Sequence, residues 1–159
     1  MDELLRILKN NALETPENIG KMLDLTPGEV KARIAEYEEK GVIRGYQAIV
    51  NEDQLDLDRV TAVIEVKVTP EREGGFNLIA TRIEKFPEVK SMYLVSGAFD
   101  FLLFVEGRNL HAVAMFVSEK LSTIDGVIST ATHFMLKTYK HHGFIMETQD
   151  EYERLKITP

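Results

Sequence analysis

Residues 61 to 69 read Thr-Ala-Val-Ile-Glu-Val-Lys-Val-Thr, and the period of the hydrophobic pattern changes on entering them. Ala62, Ile64, Val66 and Val68 fall on one face of an extended chain, with Glu65 and Lys67 on the other, which is the two-residue period of a half-buried strand. Downstream a helical period returns: after Gly74-Gly75, the residues Phe76, Ile79, Ala80, Ile83 and Phe86 recur at helical spacing and stop at Pro87. Val89 to Ser96 and Phe101 to Glu106 are strand-like and flank Gly97-Ala98-Phe99-Asp100, the composition of a tight connection. Leu110, Val113, Ala114, Val117 and Leu121 mark a second helix, Gly126 breaks it, and Val127 to Tyr139 predicts one long final strand. The order βαββαβ is that of a ferredoxin-like α+β sandwich, an antiparallel sheet with both helices on one face. The other face carries Val63, Tyr93 and Met135, which predicts that a second subunit packs there.

Upstream of the strand, residues 1 to 44 predict three short helices. Leu4, Leu5 and Leu8 give the first an apolar stripe. Thr15 caps the second, Pro16 suits its first position, and Ile19, Met22 and Leu23 form its inner face. Thr26-Pro27-Gly28-Glu29 is a capping box with proline at the first helical position, followed by Val30, Ile34 and Tyr37 at i, i+4 and i+7. Gly41 ends this third helix, and the β-rich run Val42 to Val50 predicts a short wing or strand. The expected division is therefore a helix-turn-helix domain at 1–50, a linker at 51–60, the βαββαβ domain at 61–144 and a tail at 145–159, where Asp150-Glu151-Tyr152-Glu153 suits a loose end or terminal helix.

Composition limits the function classes. The chain has 159 residues, 44% hydrophobic and 28% charged, a balance that supports a globular core. Without cysteine, disulfides, thiolate metal ligands and a Cys nucleophile are excluded. No apolar run approaches the ~20 residues needed to span a bilayer, and the acidic start Met1-Asp2-Glu3 lacks a basic leader, so a cytoplasmic protein with no membrane partner is expected. The net charge of −7 opposes general binding to phosphate; the first 50 residues carry 7 Lys and Arg against 9 Asp and Glu, so any surface for nucleic acid must be local.

A helix-turn-helix head, a β connector and a βαββαβ body with a Gly-x-x-Asp connection together resemble the Lrp/AsnC family of transcriptional regulators over nearly the whole chain. The segment Glu38-Glu39-Lys40-Gly41-Val42-Ile43-Arg44-Gly45-Tyr46 is typical of that family's exit from its recognition helix. The resemblance implies binding to double-stranded DNA through the third helix, pairing through the sheets into homodimers that assemble into octamers or similar rings, and an amino-acid effector held between neighbouring dimers. Carried onto this chain, the effector cleft would include Ser96, Gly97, Phe99 and Asp100, with Thr130 and Thr132 as looser candidates. A glycine lets backbone amides approach a carboxylate, and an aspartate can take an ammonium group.

For the head, Gly28, Ala32 and Ala35 leave an uncrowded outer face flanked by Lys31 and Arg33; these, with Thr26, Lys40 and Arg44, are the DNA-binding candidates, opposed by Glu29, Glu36 and Glu39. Glu29 has a structural reason as the N3 member of the capping box. Asp100 admits a plain reading too, as a turn residue that caps backbone amides. His133, His141 and His142 do not predict a metal site, because adjacent strand residues point to opposite faces. No cofactor is expected. G-x-x-x-x-G-K-[ST], G-x-S-x-G, G-x-G-x-x-G and H-E-x-x-H are all absent, so an enzyme is not expected. The alternative reading is a winged-helix protein-interaction module with no effector.

Overall fold

The computed structural model describes residues 1–70 and 75–147, and the chain divides into two compact units, Met1–Val50 and Asn51–Pro159. The first unit contains α1 (Glu3–Asn10), α2 (Pro16–Leu23) and α3 (Pro27–Glu39) around Leu4, Leu8, Ile19 and Val30. Side chains start all three helices. Asp2 accepts from the Leu4 amide at 2.9 Å, Thr15 from the Asn18 amide at 3.2 Å, and Thr26 from the Glu29 amide at 3.3 Å while Glu29 accepts in return from the Thr26 amide at 2.8 Å. These bonds satisfy amides that have no partner inside the helix. Gly41, at φ +65°, ends α3: its amide donates to Glu38 and that of Val42 to Tyr37, the paired bonds of a left-handed C-terminal cap.

A close approach the sequence reading did not use sits in the turn between α2 and α3. A Cβ on Gly20 would lie 2.5 Å from the Leu25 carbonyl oxygen, so only glycine lets the two helices join here. A glycine inside a helical pattern was the available signal, since it costs about 1 kcal/mol unless packing requires it. Residues 43–50, expected as a wing or strand, pair with no strand among the described residues.

The second unit has β1 (Val60–Val68), α4 (Asn77–Ile83), β2 (Val89–Leu94), β3 (Phe101–Gly107), α5 (Leu110–Met115) and β4 (Val127–Phe134), in the spatial order β2-β3-β1-β4 with every pair antiparallel. This is the α+β sandwich read from the sequence. Ala62, Ile64, Val66 and Val68 point from β1, and Phe101, Leu103 and Val105 from β3, into one apolar layer with Ile79 and Ile83 of α4 and Val113 of α5. The second helical segment changes character at Phe116–Leu121, a π-helical turn that keeps Phe116 and Leu121 buried.

Two expectations are corrected beyond β3. The final strand ends at Phe134 rather than Tyr139, because the chain leaves the ladder after the Met135 amide donates to Thr61. Residues 145 and 146, expected in the tail, belong to the fold. Lys140–His141 (β5) pairs with Phe144–Ile145 (β6), and Met146 is buried, its amide donating to Tyr139 and its carbonyl accepting from Asn51 Nδ2 at 2.5 Å. Asn51 opens the presumed linker, and Glu52–Gln54 forms a short 3-10 turn there. Gly74 and the Asp150–Glu153 segment lie outside the described residues.

On the sheet face away from the helices, strand register aligns Val63 with Phe104 and His133, and Tyr93 with Leu102. Among the described residues this face is only partly covered: Lys140, His141 and His142 border a cleft with Tyr93 and Phe104, while Tyr93 and Met135 remain 53% and 40% exposed.

Candidate functional site

Two surfaces carry the sequence-predicted residues. On α3 the inner face is Val30, Ile34 and Tyr37, and the positions between them are exposed, including Gly28, Lys31, Ala32, Arg33 and Ala35. Their small side chains leave the helix backbone open at its N-terminal half, the part that an inserted helix presents to base edges. Charge is distributed unevenly along this face. Lys31 forms no ion pair among the described residues, whereas Lys40 is bound to Glu36 and, as that carboxylate's hydrogen-bond donor, holds it below its ordinary range. Arg33 lies close enough to Asp2, Glu29 and Glu36 to favour their ionised forms. Arg44 lies against Gly41, where a Cβ would be 3.1 Å from its guanidinium carbon.

Glu29 behaves as the capping residue expected of it. Hydrogen bonds from the Thr26 amide, and then from its hydroxyl at 2.7 Å, keep the carboxyl below the usual range and turn it back on the helix start. The Thr26 side chain is occupied in the same box, so its part at any interface is to fix the helix end. A further contact joins the helices: the Tyr37 hydroxyl donates to Asp2, which lowers the Asp2 pKa and raises that of Tyr37.

The second surface is the loop between β2 and β3. Ser96, Gly97 and Ala98 are exposed, and Phe99 and Asp100 half-buried. The Val95 amide donates to the Asp100 carbonyl at 2.9 Å and the Asp100 amide to the Val66 carbonyl at 3.0 Å, so both ends of the loop are tied. Among the described residues, no acceptor meets the amides of Ser96, Gly97, Ala98 or Phe99. Gly97 has an ordinary φ, and a Cβ built on it would meet nothing within 4 Å. Gly126 differs, since a Cβ there would lie 2.8 Å from Ile79 Cδ1. The fold requires a glycine at 126 and makes no such demand at 97.

Thr130 and Thr132 stand opposite Val66 and Ile64 in the β1–β4 ladder, on the helix side of the edge strand. One strand, β1, separates them from the loop. Two clefts lie elsewhere. One of about 490 Å³ in the head is lined by Leu8, Leu13, Ile34 and Tyr46, among others, and one of about 280 Å³ in the body by Ser91, Tyr93, Phe104, Lys140, His141 and His142. The histidines depart from the opposed-face expectation. His142 and Gly143 occupy the β5–β6 turn at φ +48° and +94°, which brings the His141 and His142 rings to 4.2 Å. Among the described residues, no group of three metal-ligating side chains forms, and no helix is long and apolar enough to cross a membrane.

Comparison with known proteins gives this architecture its relatives. Residues 61–145 match the Lrp/AsnC ligand binding domain, and residues 3–44 a winged helix-turn-helix DNA-binding domain. The chain is 45% identical over 158 residues to the uncharacterized HTH-type transcriptional regulator YugG of Bacillus subtilis (strain 168), covering 99% of this chain and 95% of the relative. It is 30% identical over 134 residues to a proline dehydrogenase transcriptional activator of Rhodobacter capsulatus, covering 84% and 86%. Among solved structures, the transcriptional regulator NMB0573 of Neisseria meningitidis, in complex with L-Met, superposes with a TM-score of 0.68 at 26% identity over 89% of this chain and 93% of that one. The chain belongs to the Lrp/AsnC family of transcriptional regulators, which makes it a DNA-binding regulator with a ligand-binding domain and not an enzyme.

Proposed function

We propose that the protein is a homodimeric regulator that reads DNA with the outer face of α3 and changes its binding in response to an amino acid held at the Gly97–Asp100 loop. The carrying observation is at Gly97: among the described residues nothing calls for glycine there, and the amides of Ser96, Gly97, Ala98 and Phe99 meet no acceptor. Unpaired amides beside a position without a side chain form a ready receptor for a carboxylate. The L-Met complex of the related Neisseria regulator supports the amino-acid class. A ligand held between copies would bring Thr130 and Thr132 to the loop across an assembly boundary.

The exposed part of this sheet face supports the dimer, since Tyr93 and Met135, beside half-buried Val63, Leu102 and Phe104, place apolar surface where a second copy can cover it. Further assembly into an octamer or similar ring follows only if the loops of neighbouring dimers meet. For DNA, Lys31 and Arg33 contact phosphate, and Gly28 and Ala32 allow the close approach of the helix; Lys40 and Arg44 contribute less, being engaged by Glu36 and packed against Gly41.

The test is a gel shift with duplex DNA from the regulator's own promoter, at about 50 mM salt, with and without each of the common amino acids. A shift that one amino acid strengthens or weakens supports the proposal. DNA binding indifferent to every amino acid would defeat its effector half.

A further inference from the structure

We infer that Asp100 is a positioning residue, whose carboxylate latches the Gly97 loop to the end of β1 and thereby leaves the loop amides free for the acid group of the effector. This rests on the amino-acid reading of the loop, and it reassigns the aspartate from ligand contact to loop support. The ladder between β1 and β3 has its last pair at Val66 and Phe101. One step further, the Val68 amide points toward the side β3 would have occupied, and the acceptor it meets is Asp100 Oδ2 at 2.8 Å. In a continuing ladder of the same register, Val68 would stand opposite Phe99, whose carbonyl would be that acceptor. The carboxylate stands in for it.

The substitution has two consequences. Val68 is only 4% exposed, so its amide needs an acceptor if the sheet end is not to carry an unpaired buried donor. Because a side chain supplies that acceptor, residues 96 to 99 are released from the sheet, and their amides need not enter the ladder. The opposite edge of β1 is irregular at the same level. The β1–β4 register shifts between Lys67 and Val68, and the Thr69 amide donates to the Gly126 carbonyl at 2.8 Å. The loop is therefore anchored to a strand end that is itself held on both sides.

On this account the negative charge of Asp100 is not what the effector needs. An amide oxygen accepts a hydrogen bond as a carboxylate oxygen does, so Asp100→Asn retains the latch, and Asp100→Ala removes it. The experiment compares wild type and both variants as full-length protein. One readout is hydrogen exchange at the Val68 amide, and the other is the change in DNA gel shift caused by a mixture of the common amino acids. Asp100→Ala is expected to speed Val68 exchange by roughly threefold to tenfold, the effect of one lost hydrogen bond, and to lose the amino-acid response. Asp100→Asn is expected to keep both.

Unchanged Val68 exchange in Asp100→Ala would overturn the latch. Loss of the response in Asp100→Asn, with Val68 still protected, would overturn the positioning role and return the carboxylate to direct contact with an ammonium group. If wild type itself ignores every amino acid, the amino-acid reading fails separately, and Val68 exchange still decides the latch.

Discussion

Among the described residues, the buried centre of the head is Leu4, Leu8, Ile19 and Val30, whereas that of the body runs through twelve side chains of the sheet and helices. So small an apolar centre leaves the head more dependent on its helix ends. Asp2, Thr15 and the Thr26–Glu29 box each satisfy amides that would otherwise be bare, and the Tyr37–Asp2 bond ties the third helix to the first. The body depends instead on cross-strand burial among residues far apart in sequence. The proposed reading surface is thus mounted on a locally specified, polar-capped unit, and the proposed effector loop on a sheet at the point where the β1–β3 ladder stops.

The comparison breaks most visibly in the cores. Leu4→Ala and Leu103→Ala each remove a fully buried leucine, and each is expected to cost about 2–5 kcal/mol. In the head that loss removes one of four central contacts, so hydrogen exchange should report unfolding of α1 to α3 with the body strands still protected. Leu103→Ala should loosen the sheet and leave the head amides unaffected. Equal loss of protection in both units from either variant would show that the two cores are not independent.

A smaller effect is expected at the caps. Thr26→Ala removes the acceptor for the Glu29 amide and should destabilise the head by about 1 kcal/mol, read as a lower urea midpoint for its helical signal. Acid sharpens the same contrast. Hydrogen bonds hold the Asp2 and Glu29 carboxyls below their ordinary values, by Tyr37 first in one case and the Thr26 amide first in the other. Groups shifted downward stabilise the fold above their unfolded pKa and lose that contribution as pH falls through the folded one. The head should therefore weaken as pH drops below about 4, the ordinary carboxylate range. Glu88 of the body, lowered by its bond from Lys120, gives that unit a share of the same trend. Circular dichroism against pH for wild type and Thr26→Ala checks the assignment, since the variant should show a reduced acid dependence.

Least in size is the difference between two lysines of one helix. Lys31→Ala should weaken binding to all duplexes alike and lower the salt slope by about 1, the mark of one lost phosphate contact. Lys40→Ala should change that slope less, because Glu36 already engages the amine. Equal slopes for the two variants would refute the assignment of Lys31 as the freer cation.

What was legible in the sequence was whatever depends on neighbours. The Thr26 capping box, the left-handed stop at Gly41 and the alternation from Ala62 to Val68 are decided within a few residues, and the strand and helix periods were enough to give the βαββαβ order. Uncrowded positions on α3 were legible for the same reason, because helical spacing alone determines which residues face inward. Not legible was anything settled by residues distant along the chain. Where β4 ends, that a β5–β6 hairpin follows, and that His141 and His142 meet across a left-handed turn depend on what the rest of the sheet has already satisfied.

Asp100 is the clearest case. Glycine and aspartate three residues apart identify a turn, and sequence leaves both readings of the aspartate, ligand contact and amide cap, open. Only the tertiary structure placed its oxygen against the Val68 amide, 32 residues earlier in the chain. The physical reason is that a buried amide takes whichever acceptor the folded sheet end brings within reach, and sequence spacing does not carry that distance.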